Sequence, residues 1–398
     1  MALLTGYNNS LAYTICNPKA VGKLDKCPFM WNYYKDSGYV TAYAEDEAEI
    51  NTFNYNKYGF VKPPTDFYLR PLMLAAEKNL PIEYKSSLKF CLGYKHSADY
   101  IYDYALDFVS VYKDDPYFGL FWTNTFSHND ISDPSSMDQK VKTYLLEFQE
   151  RGVLNNSMVV FFSDHGLRFG PVRTLVTGWL EERLPFMFIW LPPWFKEEHP
   201  EIVQTLKINR NRLTNPYDIH MTLKHILELS NRSGGLPPAT SCAQCQSIFE
   251  EMPINRSCVE SEIAPHWCTC TPYVTITDRP PIVKNAVKFA IDYINGELNK
   301  NSNGTKRICA ELKLKTITFA RQADYINVTK PHNDFLLAFE TVPGNGIFES
   351  TVRYHIDEKR YEITGSISRL NGYFSQSICM HVDYLKKYCY CLKKNKKN

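Results

Sequence analysis

The sequence predicts an α/β protein, in which a larger domain with a mostly parallel sheet and helices on both faces precedes a smaller α+β domain. Three observations lead there. Short apolar strand-like runs alternate with helical repeats over residues 1–240, the pattern of βα units. A Cys-dense, loop-like connector follows over 241–272. Over 273–398 one amphipathic helix precedes a series of alternating segments, the order of a helix packed on an antiparallel sheet.

Taken in order, Tyr39–Tyr43 (YVTAY) reads as a short buried strand ending at the acidic pair Glu45-Asp46. Gly119–Thr123 (GLFWT) is a second, running into Asn124 and His128. Met158–Phe162 (MVVFF) is a third, running into Ser163-Asp164-His165-Gly166. Phe186–Leu191 (FMFIWL) is a fourth, stopped by Pro192-Pro193. Between them Met137, Val141, Tyr144, Leu145 and Phe148 repeat at helical spacing, with Gly152 as the stop. Ile219, Leu223, Ile226 and Leu227 do the same. In the last third, Val283, Val287, Ile291 and Ile294 share one helix face after Pro280-Pro281. Strands are expected at Leu312–Phe319, Phe335–Val342, Ser350–Ile356 and Tyr361–Ile367. Ligands of parallel α/β sheets bind outside the carboxyl ends of the strands, and three of the four N-terminal strands end in polar or ionisable residues.

Composition narrows the function. The 398 residues carry 45 Lys+Arg against 43 Asp+Glu, a net charge of +2, which gives no concentrated positive field for nucleic acid or an anionic membrane. Hydrophobic content of 44% and charged content of 22% exclude wholesale disorder. The longest apolar stretch, Phe186–Phe195, is too short to span a bilayer and holds two prolines. The lysines at 386, 387, 393, 394, 396 and 397 read as a solvated end.

Cysteines and glycan acceptors point to the secretory pathway. There are 12 Cys, and Asn-x-Ser/Thr acceptors stand at Asn8, Asn155, Asn231, Asn255, Asn303 and Asn327. The expected location is extracellular, and Cys242, Cys245, Cys258, Cys268 and Cys270 are expected to be mostly disulfide-bonded. A zinc knuckle from Cys242, Cys245, Cys268, Cys270 and His266 is the competing reading, against which the irregular spacing counts. The opening residues MALLTGYNNSLAYTIC lack the basic and apolar regions of a signal peptide. The expectation is therefore a chain that begins inside a longer one, or that leaves the cell by another route.

The sharpest chemical feature is Asp164-His165 just past a strand, one hard oxygen and one imidazole nitrogen on a tight turn, a pair suited to a divalent cation. Arg168 and Arg173 follow, and cations beside a metal suit a phosphate or sulfate oxygen. Alternatively these arginines are solvated or pair with Glu181 and Glu182. His128, Asn124, Glu45 and Asp46 stand at the ligand edge and are expected to line the site. Asp164, His165 and His128 should converge at one edge of the sheet.

The segment SDHGLRFGPVRTLVTGWLEERLPFMFIWLPPWF closely resembles an animal "domain of unknown function" family within the alkaline phosphatase/sulfatase superfamily. KCPFMWNYYKDSGYVTAYAEDEAEINTFNY, FVKPPTDFYLRPLMLAAEK, FGLFWTNTFSHNDIS and RLTNPYDIHMTL look like further blocks of it, and the resemblance covers about residues 1–272. It implies an α/β/α sandwich and metal-dependent hydrolysis or transfer of a phosphate or sulfate ester, small-molecule or glycan. Of the superfamily's metal ligands, the Asp-His pair maps onto Asp164 and His165. His128 looks like the His after the central strand, and Asn124 stands where metal-rich members carry Asp. The superfamily's nucleophile lies just ahead of a turn that matches Leu3-Leu4-Thr5-Gly6. The nucleophile and first Asp ligand are thus expected upstream of Met1, with Thr5 matching the turn instead. The implied cofactor is a divalent metal (Zn, Mn, Mg or Ca), its binding weakened here. The expected function is a secreted member of this hydrolase superfamily, inactive as residues 1–398. The alternative is a non-catalytic glycosylated extracellular binding or scaffold protein.

Overall fold

The computed structural model describes residues 1–232, 234–300, 308–325 and 330–392. Asn303, Asn327, Lys393, Lys394, Lys396 and Lys397 lie outside the described residues. The chain forms two compact units, Met1–Phe162 with Met187–Glu262, and Ser163–Phe186 with Ile263–Asn398. Among the described residues no helix is long and apolar enough to cross a membrane.

In the first unit β1 (Val40–Glu45) pairs in parallel with β2 (Phe67–Tyr68). An antiparallel meander follows, of β3 (Ile82–Lys85), β4 (Leu88–Leu92) and β5 (Lys95–His96). Then β6 (Tyr117–Trp122) returns to pair in parallel with β1, Val40 opposite Tyr117 and Glu45 opposite Trp122. The parallel sheet has the order β2-β1-β6. Successive strand side chains point to opposite faces, so Tyr43 and its neighbours Ala42 and Ala44 enter different layers. Tyr43 joins Cys16, Leu24, Cys27, Phe29, Trp31 and Phe53. Phe29 and Trp31 stack at 4.4 Å and Trp31 and Tyr43 at 5.6 Å, and the Cys16–Cys27 disulfide closes the same cluster. On the other face Ala44 packs with Met73 and Ile101, and Ala42 with Phe108. Part of the aromatic content is thus core, where each buried ring contributes roughly 2–3 kcal/mol.

One expectation is corrected. The runs at 158–162 and 186–191 do not enter the parallel sheet. They form β7 (Val159–Phe162) and β8 (Met187–Trp190), paired antiparallel with each other in a two-stranded sheet. Parallel pairing needs a crossover that packs back on its own sheet. The intervening Ser163–Phe186 belongs to the second unit, so the chain returns directly alongside the strand it left.

The helices follow their local signals. Asp138–Glu150 carries the predicted 137–148 repeat, and Gly152 sits just beyond it at φ +75°, the left-handed region glycine favours. Pro216–Leu229 starts at Asn215, whose side chain accepts from the backbone N–H groups of Tyr217 and Asp218 while Asp218 caps in return. Helices Arg70–Asn79 and Ser97–Val111, which the sequence analysis did not single out, flank the meander.

In the second unit β9 (Tyr273–Thr275), β10 (Lys313–Ala323), β11 (His332–Val342), β12 (Gly346–His355) and β13 (Arg360–Ile363) form an antiparallel sheet in the order β13-β12-β11-β10-β9. The short β14 (Ser368–Arg369) pairs with β12. Helix Pro281–Lys300 lays Val283, Val287, Ile291 and Ile294 against Phe335, Leu337, Phe339, Phe348 and Val352. This is the predicted helix face on the predicted kind of sheet. Alternation along β12 turns Glu349 and Thr351 to the opposite face.

Candidate functional site

At the carboxyl ends of β1 and β6 the chain gathers polar groups. Asp46 is fully buried. Its Oδ1 accepts from the Asn124 backbone N–H at 2.7 Å and from Asn124 Nδ2 at 3.1 Å. Its Oδ2 accepts from the Thr125 N–H at 3.0 Å and from Thr125 Oγ1 at 2.7 Å. Glu45 accepts from Asn124 Nδ2 at 3.0 Å, from the Thr52 N–H at 2.9 Å and Thr52 Oγ1 at 3.0 Å, and from the Tyr43 hydroxyl. Burial pushes the Asp46 carboxyl up to about 6, opposed by the Thr125 and Asn124 hydrogen bonds. Burial also raises Glu45. The structure therefore brings Glu45, Asp46 and Asn124 together, with each carboxylate satisfied by protein donors. His128 is exposed one helical turn beyond Asn124, its N–H on the Asn124 carbonyl at 3.0 Å and its Nδ1 2.7 Å from Asn129 Oδ1. Thr52, Thr125 and Tyr43 were not foreseen. Only Tyr43, two residues from Glu45 on one strand face, was legible in principle.

Asp164, His165, Arg168 and Arg173 belong to the second unit. Asp164 Oδ1 accepts from the His165 N–H at 3.0 Å, and Ser163 Oγ donates to the His165 carbonyl at 2.9 Å. His165 Nδ1 lies 2.6 Å from the Gly166 carbonyl, and its Nε2 lies 3.4 Å from Asp164 Oδ2. A carbonyl oxygen only accepts, so Nδ1 carries the hydrogen; Nε2 pairs with Asp164 when the ring is protonated and offers a lone pair when it is neutral. Gly166 is dictated by close approach: a Cβ there would meet the Glu181 carbonyl oxygen at 2.3 Å. The Gly166 N–H donates to Glu182 O at 3.3 Å, which docks the turn on helix Val176–Arg183.

The two arginines part company. Arg168 is exposed. Arg173 is fully buried, bonded to Glu182, 3.5 Å from Glu349 Oε1, and donating to the Gly178 carbonyl at 2.8 Å. Its guanidinium meets carboxylates rather than solvent. Arg183 completes the cluster, 2.7 Å from Glu182 and 2.7 Å from Glu349. Two guanidiniums thus balance two carboxylates. Beside them His266 is fully buried, its ring nitrogens each 3.2 Å from a hydroxyl, of Thr351 and of Ser368. Burial, together with Arg183, holds His266 well below its ordinary value, so it stays neutral. Arg183, Glu349 and this role of His266 escaped sequence reasoning. The available signal was a lone Glu between Phe348 and Ser350 in a strand-like run.

Cys242 and Cys245 are bonded to each other, and Cys258 and Cys268 are each disulfide-bonded, while Cys270 is a free thiol. Asn8, Asn155, Asn231 and Asn255 are exposed.

Together these features define a mixed α/β protein with a three-stranded parallel sheet, several antiparallel sheets and disulfide bonds. Residues 1–318 match the family model described as "Protein of unknown function (DUF229)", and the chain belongs to that family. No curated protein shows a significant match to it.

Proposed function

We propose that the chain is a secreted glycoprotein of alkaline phosphatase/sulfatase type, an α/β/α sandwich whose Asp164-His165 turn holds a divalent cation. The observation that carries this reading is the His165 Nδ1–H on the Gly166 carbonyl. Metal-bound histidines characteristically anchor the other ring N–H on a carbonyl or carboxylate, and here that leaves an sp² nitrogen beside an Asp oxygen, a donor set that fits Zn, Mn or Mg. Asp164 and His165 would hold the ion, which when bound withdraws charge from the ester's oxygens. Exposed Arg168, three residues beyond His165, is the group to meet the same phosphate or sulfate. The disulfides and the exposed Asn8, Asn155, Asn231 and Asn255 support the extracellular location.

A specific feature favours the non-catalytic binding or scaffold reading. Among the described residues the clusters of three or more candidate ligands consist of cysteines, so Asp164 and His165 stand as two ligands, against the three usual in catalytic zinc sites. Titration of the 1–398 chain with Zn²⁺ and Mn²⁺, with turnover of aryl phosphate and aryl sulfate esters measured in parallel, tests both readings. Weak metal binding abolished by Asp164→Ala and by His165→Ala, with no turnover, is the expected result. Binding unchanged in both variants, or turnover that survives both, would overturn the site. No metal binding at all would leave the scaffold reading standing.

A further inference from the structure

Two disulfides in the second unit sit against one another. Cys309–Cys389 is the inner bond, with its residues 2% and 0% exposed. Cys379–Cys391 is the outer bond, with both residues only partly buried. Cys379 Sγ lies 3.7 Å from Cys389 Sγ, and the sulfurs of Cys309, Cys379 and Cys389 all lie within 4.8 Å of one another. Backbone hydrogen bonds hold the same segments together beside the sulfur bonds. Cys309 and Cys391 face each other in a β-bridge, flanked by Ala310 N–H to Tyr390 O at 2.8 Å and Leu392 N–H to Ile308 O at 2.9 Å. The Cys391 N–H also donates to Gln376 O at 2.8 Å.

We propose that the two bonds are coupled by thiol–disulfide exchange, so that a thiol reductant acting on the outer pair gains access to the buried one. Two equivalents of a small thiol open Cys379–Cys391, becoming a disulfide themselves and leaving two protein thiols. The Cys379 side chain then turns into line with the Cys309–Cys389 bond, and its thiolate, which starts 3.7 Å away, attacks Cys389 Sγ. A Cys379–Cys389 bond forms, the Cys309–Cys389 bond breaks, and Cys309 leaves as the thiolate that takes up the proton Cys379 released. No electrons are consumed in this second step. Exchange requires a thiolate with access to a disulfide sulfur. Burial denies external thiols that access to the inner bond, and Cys379 supplies it from within.

The test is disulfide mapping of the full chain. In Cys391→Ser, equilibrated with glutathione, acid-quenched and alkylated, label should divide between Cys379 and Cys309, with a Cys379–Cys389 linked peptide present. Label confined to Cys379 with Cys309–Cys389 intact would overturn the proposal. Should that variant fail to fold, the wild-type chain treated with limiting glutathione provides the second arm. There the same Cys379–Cys389 peptide is expected, and reduction stopping at free Cys379 and Cys391 would overturn it. In Cys379→Ser/Cys391→Ser, opening of the inner bond by glutathione should slow at least about tenfold. An unchanged rate would show that the inner bond is reached directly.

Discussion

Asp46 accepts hydrogen bonds from both nitrogens of Asn124, the backbone N–H at 2.7 Å and Nδ2 at 3.1 Å. One buried carboxylate thereby ties the ends of two parallel strands across 78 residues of sequence. The turn that leads to His128 is held by this bond set and by the matching pair to Thr125.

Asp46→Ala should therefore destabilise the first unit. It strands two backbone N–H groups and a hydroxyl in the interior, while the Asn124 amide keeps its bond to Glu45, and losing hydrogen bonds to a buried acceptor of this kind costs about 3 kcal/mol. Urea unfolding followed by tryptophan fluorescence measures it. A loss under about 0.5 kcal/mol would mean that the donors find water instead.

Two groups of the first unit, His220 and Asp46, push the pH dependence in opposite directions; burial raises Glu45 in the same sense as Asp46, and buried His266 of the second unit acts in the same sense as His220. His220 is buried with Nδ1–H on the Leu3 carbonyl at 3.0 Å, and burial, aided by Lys224, pushes its imidazole down to about 4. The unfolded ring titrates near 6.5, so the unfolded state binds the proton first. Stability from His220 is present above about 6.5 and falls by about 3 kcal/mol as pH drops to about 4. Asp46 runs the other way. With its carboxyl at about 6 against about 3.9 unfolded, its contribution is full at low pH and is lost as pH rises to about 6. The two slopes offset each other in the native chain. Asp46→Asn should unmask the His220 slope, with stability falling between pH 6.5 and 4. A flat profile in that variant would rule out a buried neutral His220.

In the second unit, Glu349→Leu should cost about 3–5 kcal/mol, because it leaves Arg173 and Arg183 sharing a single carboxylate in the interior. Arg173→Leu/Glu349→Leu restores neutrality and should be less destabilising than the sum of the single changes. A double-mutant cycle by denaturant unfolding reads the coupling, and strict additivity would show that the guanidinium and carboxylate do not sense each other.

None of the residues of β6 or β7 is buried, and Phe188 and Trp190 on β8 are 65% and 40% exposed. Apolar strands open to solvent bind hydrophobic dyes. The native chain should enhance ANS fluorescence, and Phe188→Ser should lower the signal while changing stability by less than about 0.5 kcal/mol. An unchanged signal would place the dye-binding surface elsewhere.

Elements with a local cause were legible. The Val283/Val287/Ile291/Ile294 stripe specifies a one-sided helix whatever it packs on, and it does line the core of the second unit. The strand ends Glu45-Asp46 and Asn124 were legible as neighbours because parallel strands bring their carboxyl ends to one edge. Their mutual hydrogen bonding was not, since the same pattern serves equally to present carboxylates or to satisfy them.

Sequence by itself determined that strands or helices form at several of these segments, through apolar period and the stop at Gly152, both of which act within one or two turns. It also set the cysteine supply from which the disulfides are drawn. Tertiary structure alone decided that β7 and β8 pair antiparallel, that Ser163–Phe186 joins the second unit, and that Arg183 finds Glu349 across 166 residues. The reason is physical. Strand partners and ion-pair partners are selected by burial and charge neutrality over the whole folded chain, and two arginines five residues apart in sequence look alike until one, Arg173, is closed off by carboxylates and the other, Arg168, is left in water.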